Sequence, residues 1–282
     1  MKLVVLVLAR NCAAYVPTLF RLIDEISKKS TVIAIVGENG STDETRALLE
    51  HGIAAGLPFS VIDTAPMSSV PDRYQRMALG RQMLLESAKE ASPDADFVCV
   101  MDADDTLALA PTADKILEAA GLLAASNELF AVAATSAPTY YDLLALRAPG
   151  MFDTNILEDK KEHENNPLRY YNYFKTKIYD THDRITAHGN FLATSAFNGL
   201  CIYRAAAYYP ASYLGGRDGI CEHVTLNVEI HRHTGHQILV SDLLVVNAPS
   251  EHIRQSAFEF TRRRARKALA AMRGRMSLRV RE

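Results

Sequence analysis

The sequence predicts an α/β fold, Rossmann-like, in which a mostly parallel sheet is flanked by helices. Short apolar runs alternate with segments of helical periodicity throughout residues 1–135, and this alternation is typical of βαβ units with right-handed crossovers. Several of the runs stop abruptly at polar or acidic residues. The 282 residues are enough for one large domain with an appended segment.

Five strands and four helices are predicted in the first half of the chain. The strands are the runs 3–8, 31–36, 59–63, 97–101 and 129–135, and the helices occupy 15–26, the segment after residue 42, 72–91 and 111–126. In the first helix, Val16, Leu19 and Ile23 share one face at helical spacing. Ser41 or Thr42 is expected to cap the second helix, because a hydroxyl oxygen accepts a hydrogen bond from the first helical turn.

The second half is less regular. Residues 140–219 are rich in Tyr, His, Asn and Pro, and the charged stretch 158–166 is predicted to be an exposed loop. A strand at 197–203, a helix at 221–231 and a strand at 238–246 follow, and then a basic amphipathic helix at 258–280. We therefore expect one domain over 1–253, with halves 1–135 and 136–253, and a separate basic tail at 254–282.

Composition excludes several classes of protein. The four cysteines are scattered without a C-x-x-C pair, which argues against a zinc ribbon and fits a reducing cytosol. The apolar run 3–9 is too short to span a membrane and lacks a signal-peptide cleavage pattern. No G-x-G-x-x-G follows the first strand and no P-loop occurs, so a dinucleotide dehydrogenase or P-loop NTPase is not expected. We expect a cytoplasmic protein, either free or peripheral at the inner face of the membrane.

The charge is unevenly distributed. Residues 254–282 contain ten Arg or Lys and two Glu, whereas the whole chain has a formal net charge of −2, so residues 1–253 carry −10. Three interpretations of the basic tail are compatible with this: a solvated helix, a helix on an anionic membrane surface, or a nucleic-acid contact. The first two are favoured, because few aromatic residues interleave the basic ones and the body of the protein is acidic.

The most informative residues follow the strand at 97–101. Asp102, Asp104 and Asp105 are hard oxygen ligands at a spacing that suits Mn²⁺ or Mg²⁺, especially a cation shared with a diphosphate. The alternative is a solvated acidic turn after a core strand. Because parallel strands present their carboxyl ends at one edge of a sheet, Arg10 and the loop that begins at Glu38 are expected beside these acids.

Together these motifs resemble those of GT-A-fold glycosyltransferases. Residues 39–45 are similar to the family's N/D-G-S-x-D-x-T loop, and residues 102–105 are similar to its Asp-x-Asp motif. Arg81 resembles the arginine of the family's Ala-Arg-Asn helix, although Gln82 replaces the asparagine. In the second half, residues 140–147 and 197–200 resemble segments of capsule-type mannosyltransferases.

The resemblance implies a nucleoside-diphosphate sugar donor held across the strand ends. Asp104 is the first candidate metal ligand and Asp102 the second, although Asp102 is alternatively a ribose contact; Asp105 is a ligand in place of either or a cap of the turn. The implied contacts to the nucleobase, ribose or phosphates are Arg10, Glu38, Asn39, Asp43, Arg76 and Arg81. His252 is a candidate third metal ligand, or else a surface histidine.

Glu222 is the candidate general base, since Gly219–His223 resembles the x-Glu-Asp position of inverting members, with His223 where an aspartate often stands. In a retaining enzyme Glu222 would orient the acceptor, and its structural alternative is an acidic residue in a first helical turn. The resemblance thus implies transfer of a hexose to a glycan or lipid-linked acceptor in surface polysaccharide synthesis. The alternatives are a nucleotidyltransferase and a catalytically inactive GT-A module.

Overall fold

The computed structural model describes residues 1–266. Its eight-stranded sheet has the order β3-β2-β1-β4-β7-β5-β8-β6. The strands are β1 (Lys2–Ala9), β2 (Thr31–Glu38), β3 (Phe59–Asp63), β4 (Phe97–Asp102), β5 (Leu129–Ala137), β6 (Phe191–Ala193), β7 (Leu200–Arg204) and β8 (Gln237–Asn247). β1 to β4 are mutually parallel, β7 runs antiparallel between β4 and β5, and β6 is antiparallel to β8. The predicted mostly parallel sheet is confirmed, and each of its antiparallel pairs includes β6 or β7, which belong to the second half of the chain.

Helices pack on both faces of this sheet. They are α1 (Val16–Ser27), α2 (Thr45–Ala54), α3 (Arg73–Ala91), α4 (Ala113–Ala125), α5 (Ile156–His163), α6 (Pro167–Tyr173), α7 (Asp180–His188), α8 (Ala205–Tyr208) and α9 (Glu222–Thr234), with a π-helical segment at Phe174–Tyr179. Asp72 caps α3 by accepting from the backbone of Tyr74 and Gln75, each at 2.9 Å. The side chain of Thr112 likewise caps α4.

The core fills both faces of the sheet, which explains why β1 is apolar throughout. Val4 and Leu6 pack into one buried cluster, whereas Leu3 and Val5 pack into the other. Residues of a strand alternate between faces, so a strand buried on both sides has an unbroken apolar sequence.

Strand register fixes where the loops meet. Leu8 in β1 lies opposite Gly37 in β2 on one side and Asp102 in β4 on the other, and Ala9 lies opposite Glu38. The three strands therefore end at the same level. The backbone N–H of Asn39 donates to the carbonyl of Ala9 at 3.0 Å and extends this alignment beyond the strands.

The predicted cap of α2 is wrong. The helix begins at Thr45 without a side-chain cap from Ser41 or Thr42. The Ser41 hydroxyl instead accepts from the backbone of Asn11 at 3.0 Å, and the backbone of Thr42 donates to the Asn11 side chain at 2.7 Å. The loops after β1 and β2 are thus bound to each other, and the tertiary contact takes the groups that a local cap would have used.

Residues 158–166 and the start of β7 also differ from the prediction. Residues 158–166 belong largely to α5, which Asn155 caps and the buried Ile156 anchors, rather than to an exposed loop. β7 begins at Leu200 rather than at 197, because Asn198 and Gly199 have φ of 55° and 83° and so cannot lie in an extended strand.

Residues 257–266 are helical, which agrees with the start of the predicted basic helix; its remainder lies outside the described residues. Across residues 1–266, no helix combines the length and the apolar character needed to cross a bilayer.

Candidate active site

A cavity of about 620 Å³ lies at the carboxyl ends of β1, β2 and β4. Nine of the predicted site residues line it: Arg10, Asn39, Arg76, Arg81, Asp102, Asp104, Asp105, Glu222 and His252. They come from six separate segments of the chain. Because β1, β2 and β4 end at the same level, the loops that follow them meet. α9 and the segment after β8 form the opposite wall of the cavity.

The side chains of Glu38 and Asp43 do not line this cavity, and they form contacts within and between the loops after β1 and β2. Glu38 is 1% exposed, accepts from the backbone of Ser41 at 2.6 Å and forms an ion pair with Arg46. Burial alone raises the pKa of Glu38, but these hydrogen bonds and the charge of Arg46 outweigh it and hold the pKa below its usual value. Asp43 accepts from the backbone of Thr45 and Ala13, and so joins the two loops.

Arg81 connects the two walls of the cavity. Its Nη2 lies 2.7 Å from Oδ1 of Asp102, and its Nε lies 3.1 Å from Oε1 of Glu222. The side chain is 3% exposed, and its guanidinium carbon lies 4.9 Å from the ring centre of Phe197. Burial lowers the pKa of Arg81, but the charges of Asp102 and Glu222 outweigh it and raise the pKa above its usual value. A permanent positive charge is therefore fixed between the two acids.

The three aspartates after β4 have different surroundings. Burial, together with the neighbouring Asp104, raises the pKa of Asp102 to about 7 against the opposing charge of Arg81. Burial and Asp104 also raise the pKa of Asp105. Oδ1 of Asp104 accepts from the backbone of Thr106 at 3.0 Å, which starts the 3-10 helix Asp105–Leu109. Negative charge is concentrated here, and a cation would relieve the repulsion.

The donor set of this acidic loop fits a hard divalent cation, because it consists of carboxylate oxygens crowded at one side of a cavity. Within residues 1–266, however, no three His, Cys, Asp or Glu side chains are grouped closely enough to hold a metal ion by themselves. The fit is therefore to a cation that shares its coordination with a bound ligand. His252 lines the same cavity, with its ring 5.1 Å from that of Tyr141.

A buried histidine lies beside Glu222. The ring of His223 stacks on that of Phe197, with centroids 3.6 Å apart and an interplanar angle of 14°. Burial, followed by the charge of Arg81, lowers the pKa of His223 well below its usual value. Neither ring nitrogen has a hydrogen-bond partner among the described residues. A neutral imidazole thus faces the cavity with unsatisfied polar atoms.

Glu222 also borders a second pocket, of about 360 Å³, that extends along the start of α3. Tyr74 lines both spaces, and Arg217 and Thr225 line the second one. The two pockets therefore share Glu222 and Tyr74 as lining residues.

Sequence reasoning did not identify two of the arginines that line the main cavity. Arg73, at the start of α3, and Arg263, in the basic C-terminal segment, both line it. The only local signal was their positive charge, which surface arginines share, so neither was distinguishable without the fold.

No protein-family model matches the chain, and no curated protein sequence matches it. Among solved structures, a mycobacterial protein superposes with a TM-score of 0.50 at 15% identity, covering 92% of this chain and 69% of its own. Glucosyl-3-phosphoglycerate synthase from Mycobacterium tuberculosis, in complex with Mn²⁺, UDP and phosphoglyceric acid, gives 0.49 at 13% identity, covering 92% and 73%.

A mannosyltransferase from Pyrobaculum calidifontis, in complex with GDP-Man and Mn²⁺, gives a TM-score of 0.47 at 15% identity. The alignment covers 88% of this chain and 57% of the mannosyltransferase. At such identities a likeness concerns the fold alone. The chain has the mostly parallel α/β fold that the resemblance to GT-A enzymes implies.

Proposed function

We propose that this chain is a glycosyltransferase that moves a hexose from a nucleoside-diphosphate sugar to an acceptor hydroxyl. One observation carries the proposal: the acidic loop 102–105 meets the ends of β1 and β2 around one cavity that also contains arginines. Its volume of about 620 Å³ is in the range of small-ligand sites. Arg10, Arg73 and Arg76 supply positive charge for a diphosphate, which arginine binds through paired N–H groups.

The proposed cofactor is Mn²⁺ or Mg²⁺. Asp104 is the first ligand, Asp105 is the alternative, and His252 is a candidate for a third position on the facing wall. Asp102, whose Oδ1 is bound by Arg81, is better suited to orienting the arginine or contacting the ribose. When bound, the cation would act as a Lewis acid that offsets negative charge on the departing nucleoside diphosphate. Asn39, buried at the end of β2, is the proposed contact to the nucleobase or ribose.

Glu222 is the proposed residue for the acceptor. It borders both the main cavity and the second pocket, so an acceptor in the second pocket would present its hydroxyl to this carboxylate. Two roles fit the position: a general base in an inverting transfer, or a hydrogen-bond acceptor that orients the hydroxyl in a retaining one. Arg81 holds Oε1 in either case.

The proposed acceptor is a glycan or a lipid-linked sugar in surface polysaccharide synthesis. The basic segment supports a location at an anionic membrane surface, since Phe258 is 73% exposed beside several arginines. Cosedimentation with vesicles containing anionic lipid tests this. Binding equal to that of neutral vesicles would contradict a peripheral membrane location.

The transfer itself is tested by a screen of nucleotide sugars for donor hydrolysis, with isothermal titration of nucleoside diphosphates in the presence and absence of Mn²⁺. We expect one nucleotide to bind more tightly with the metal and one sugar to be released. Binding without any turnover would instead favour an inactive sugar-nucleotide module, for which the neutralisation of Asp102 and Glu222 by Arg81 is the supporting observation. Failure of every nucleoside diphosphate to bind would overturn both.

A further inference from the structure

The basic C-terminal segment is attached to the domain where the structure describes it. Arg254 pairs through Nη2 with Asp180 at 2.8 Å and with Asp183 at 2.7 Å, and its guanidinium carbon lies 5.5 Å from the ring centre of Tyr179. One arginine thus contacts two acids and a ring on α7 and the preceding π-helical segment. This attachment holds the residues that precede the following helix against the domain.

The helix at 257–266, called here the tail helix, begins at a reciprocal cap. The Ser256 hydroxyl accepts from the backbone of Glu259 at 3.3 Å, while the Glu259 carboxylate accepts from the backbone of Ser256 at 3.1 Å. This pattern, serine followed three residues later by glutamate, is a capping box that satisfies two backbone donors. The start of the tail helix is therefore encoded locally, and its direction follows from the attachment of Arg254.

Aromatic packing fixes the rotation of the tail helix. Phe260 is 8% exposed, with its ring centroid 5.2 Å from that of Phe174 and 5.3 Å from that of Tyr171. Arg264 lies over the ring of Tyr170 at 3.9 Å, within cation–π distance. The opposite face carries the exposed Phe258. Because the burial of Phe260 fixes the rotation of the tail helix, it also fixes the direction in which the neighbouring residues of the helix face.

The consequence is that Arg263 borders the main cavity. It is intermediate in exposure, and its Nη2 lies 3.3 Å from Oε2 of Glu251, in the segment that also contains His252. Arg262, the preceding residue, is exposed and lies over the ring of Phe258 at 5.8 Å. Two adjacent arginines of the same helix therefore have different surroundings, and only one of them borders the cavity.

We propose that Arg263 is a donor-site residue, supplied by the tail helix, which exchanges Glu251 for the diphosphate of the nucleotide sugar. This inference rests on the proposed function. A partly exposed ion pair contributes little stability, so giving up Glu251 costs little. A diphosphate offers more negative charge than one carboxylate and matches the planar guanidinium. The tail helix then forms part of the donor site rather than an independent appendage.

The test is isothermal titration of the full chain with UDP and with GDP, in the presence of Mn²⁺. We expect Arg263→Ala to weaken binding of the preferred nucleotide by about tenfold, because it removes a charge-assisted contact. Arg263→Lys, which keeps the charge without the planar fork, should lie between. Arg262→Ala is the matched control and should bind like the wild type.

Two further measurements separate a phosphate contact from a structural role. Uridine and guanosine lack phosphate, so Arg263→Ala should leave their affinities unchanged; an equal loss for nucleoside and nucleotide would overturn the proposal. If Arg263 only positions Glu251, then Glu251→Gln should weaken nucleotide binding as much as Arg263→Ala. We expect Glu251→Gln to bind as well as the wild type or better.

The outcomes also distinguish this inference from the proposed function. If Arg263→Ala binds the nucleotide as tightly as the wild type does, the role of Arg263 is overturned and the proposed donor site stays in place. Absence of any nucleotide binding by the wild type overturns both.

Discussion

Arg81 and Glu222, 141 positions apart in the chain, form an ion pair with Nε 3.1 Å from Oε1, and both side chains are almost completely buried. The pair joins α3 to the start of α9 across the base of the cavity. A buried charge is tolerated when it is paired and hydrogen-bonded. The geometry of the candidate site therefore depends on this contact, which has consequences for stability and for chemistry.

The first prediction concerns stability. Arg81→Met leaves Asp102 and Glu222 without their shared partner, and removing one side of a buried ion pair typically costs about 3–5 kcal/mol. We expect a loss of that order in the free energy of unfolding, measured by urea denaturation. Arg21→Met, at an exposed position of α1, is the control and should change stability by about 0.5 kcal/mol or less. A loss below about 1 kcal/mol for Arg81→Met would contradict the importance of the pair.

The second prediction concerns the metal. Asp104→Asn keeps an oxygen that accepts from the backbone of Thr106, so the 3-10 helix should persist while the carboxylate charge is lost. We expect the enhancement of nucleotide binding by Mn²⁺ to fall by about tenfold or more, measured by titration with and without the ion. Asp114→Asn, at an exposed acid of α4, is the control. Unchanged metal dependence in Asp104→Asn would remove Asp104 from the proposed ligands.

The third prediction separates the two roles of Glu222. Glu222→Gln is nearly isosteric and keeps an oxygen that accepts from Arg81. A general base contributes about 10²- to 10⁴-fold to the rate, so a loss of this size with retained donor affinity would indicate an inverting enzyme. A loss of about tenfold or less, with a raised KM for the acceptor, would indicate orientation of the acceptor. Near-normal turnover and KM would exclude both roles.

The fourth prediction concerns pH. His223 has a pKa held well below its usual value by burial and by the charge of Arg81. As the pH falls below about 6.5, the unfolded chain takes up this proton and the folded chain does not, so stability falls with pH in that range. The contribution is up to about 1.4 kcal/mol per pH unit.

His223→Gln removes this titration, and we expect its loss of stability between pH 7.5 and 5.5 to be about 1 kcal/mol smaller than that of the wild type. Urea denaturation at the two values measures the difference. His182, whose pKa burial and then His252 lower to about 4, remains in both proteins and affects them equally. Identical pH dependence would show that His223 is not buried in its neutral form.

The fifth prediction compares two glycines. Gly199 has φ of 83°, and a Cβ there would lie 3.0 Å from Oη of Tyr141 and 3.1 Å from Cγ2 of Thr106, so Gly199→Ala should cost about 1–2 kcal/mol. At Gly121, inside α4, a Cβ meets no described atom within 4 Å, and Gly121→Ala should gain about 0.5–1 kcal/mol. Thermal unfolding measures both. A neutral Gly199→Ala would show that the turn before β7 relaxes freely.

Much of the first half of the fold was predictable because its signals are local. The apolar run of β1 and the helical spacing in α1 act within a few residues, and the structure confirms the strand and the helix that they predict. The cap of α2 was not predictable, because Ser41 bonds to the backbone of Asn11, 30 positions away.

In the candidate site, too, the local features were predictable and the contacts between distant residues were not. Asp102, Asp104 and Asp105 were identifiable as a group because they come directly after a run of buried apolar residues. Their position beside Arg10 was predictable because parallel strands present their carboxyl ends at one edge of a sheet. Their pairing was not identifiable. Charge alone does not reveal that Arg81 binds Asp102, or that Glu38 turns inward to Arg46.

The sequence by itself determined the alternation of strands and helices and the acidic loop at the edge of the sheet, since periodicity and motifs depend on near neighbours in the chain. Only the tertiary structure decided that Arg81 bridges Asp102 and Glu222, that Glu222 borders two pockets, and that Arg263 borders the cavity. These relationships depend on strand register and on the rotation of packed helices. Both are set by contacts between residues far apart in sequence, and so no local pattern encodes them.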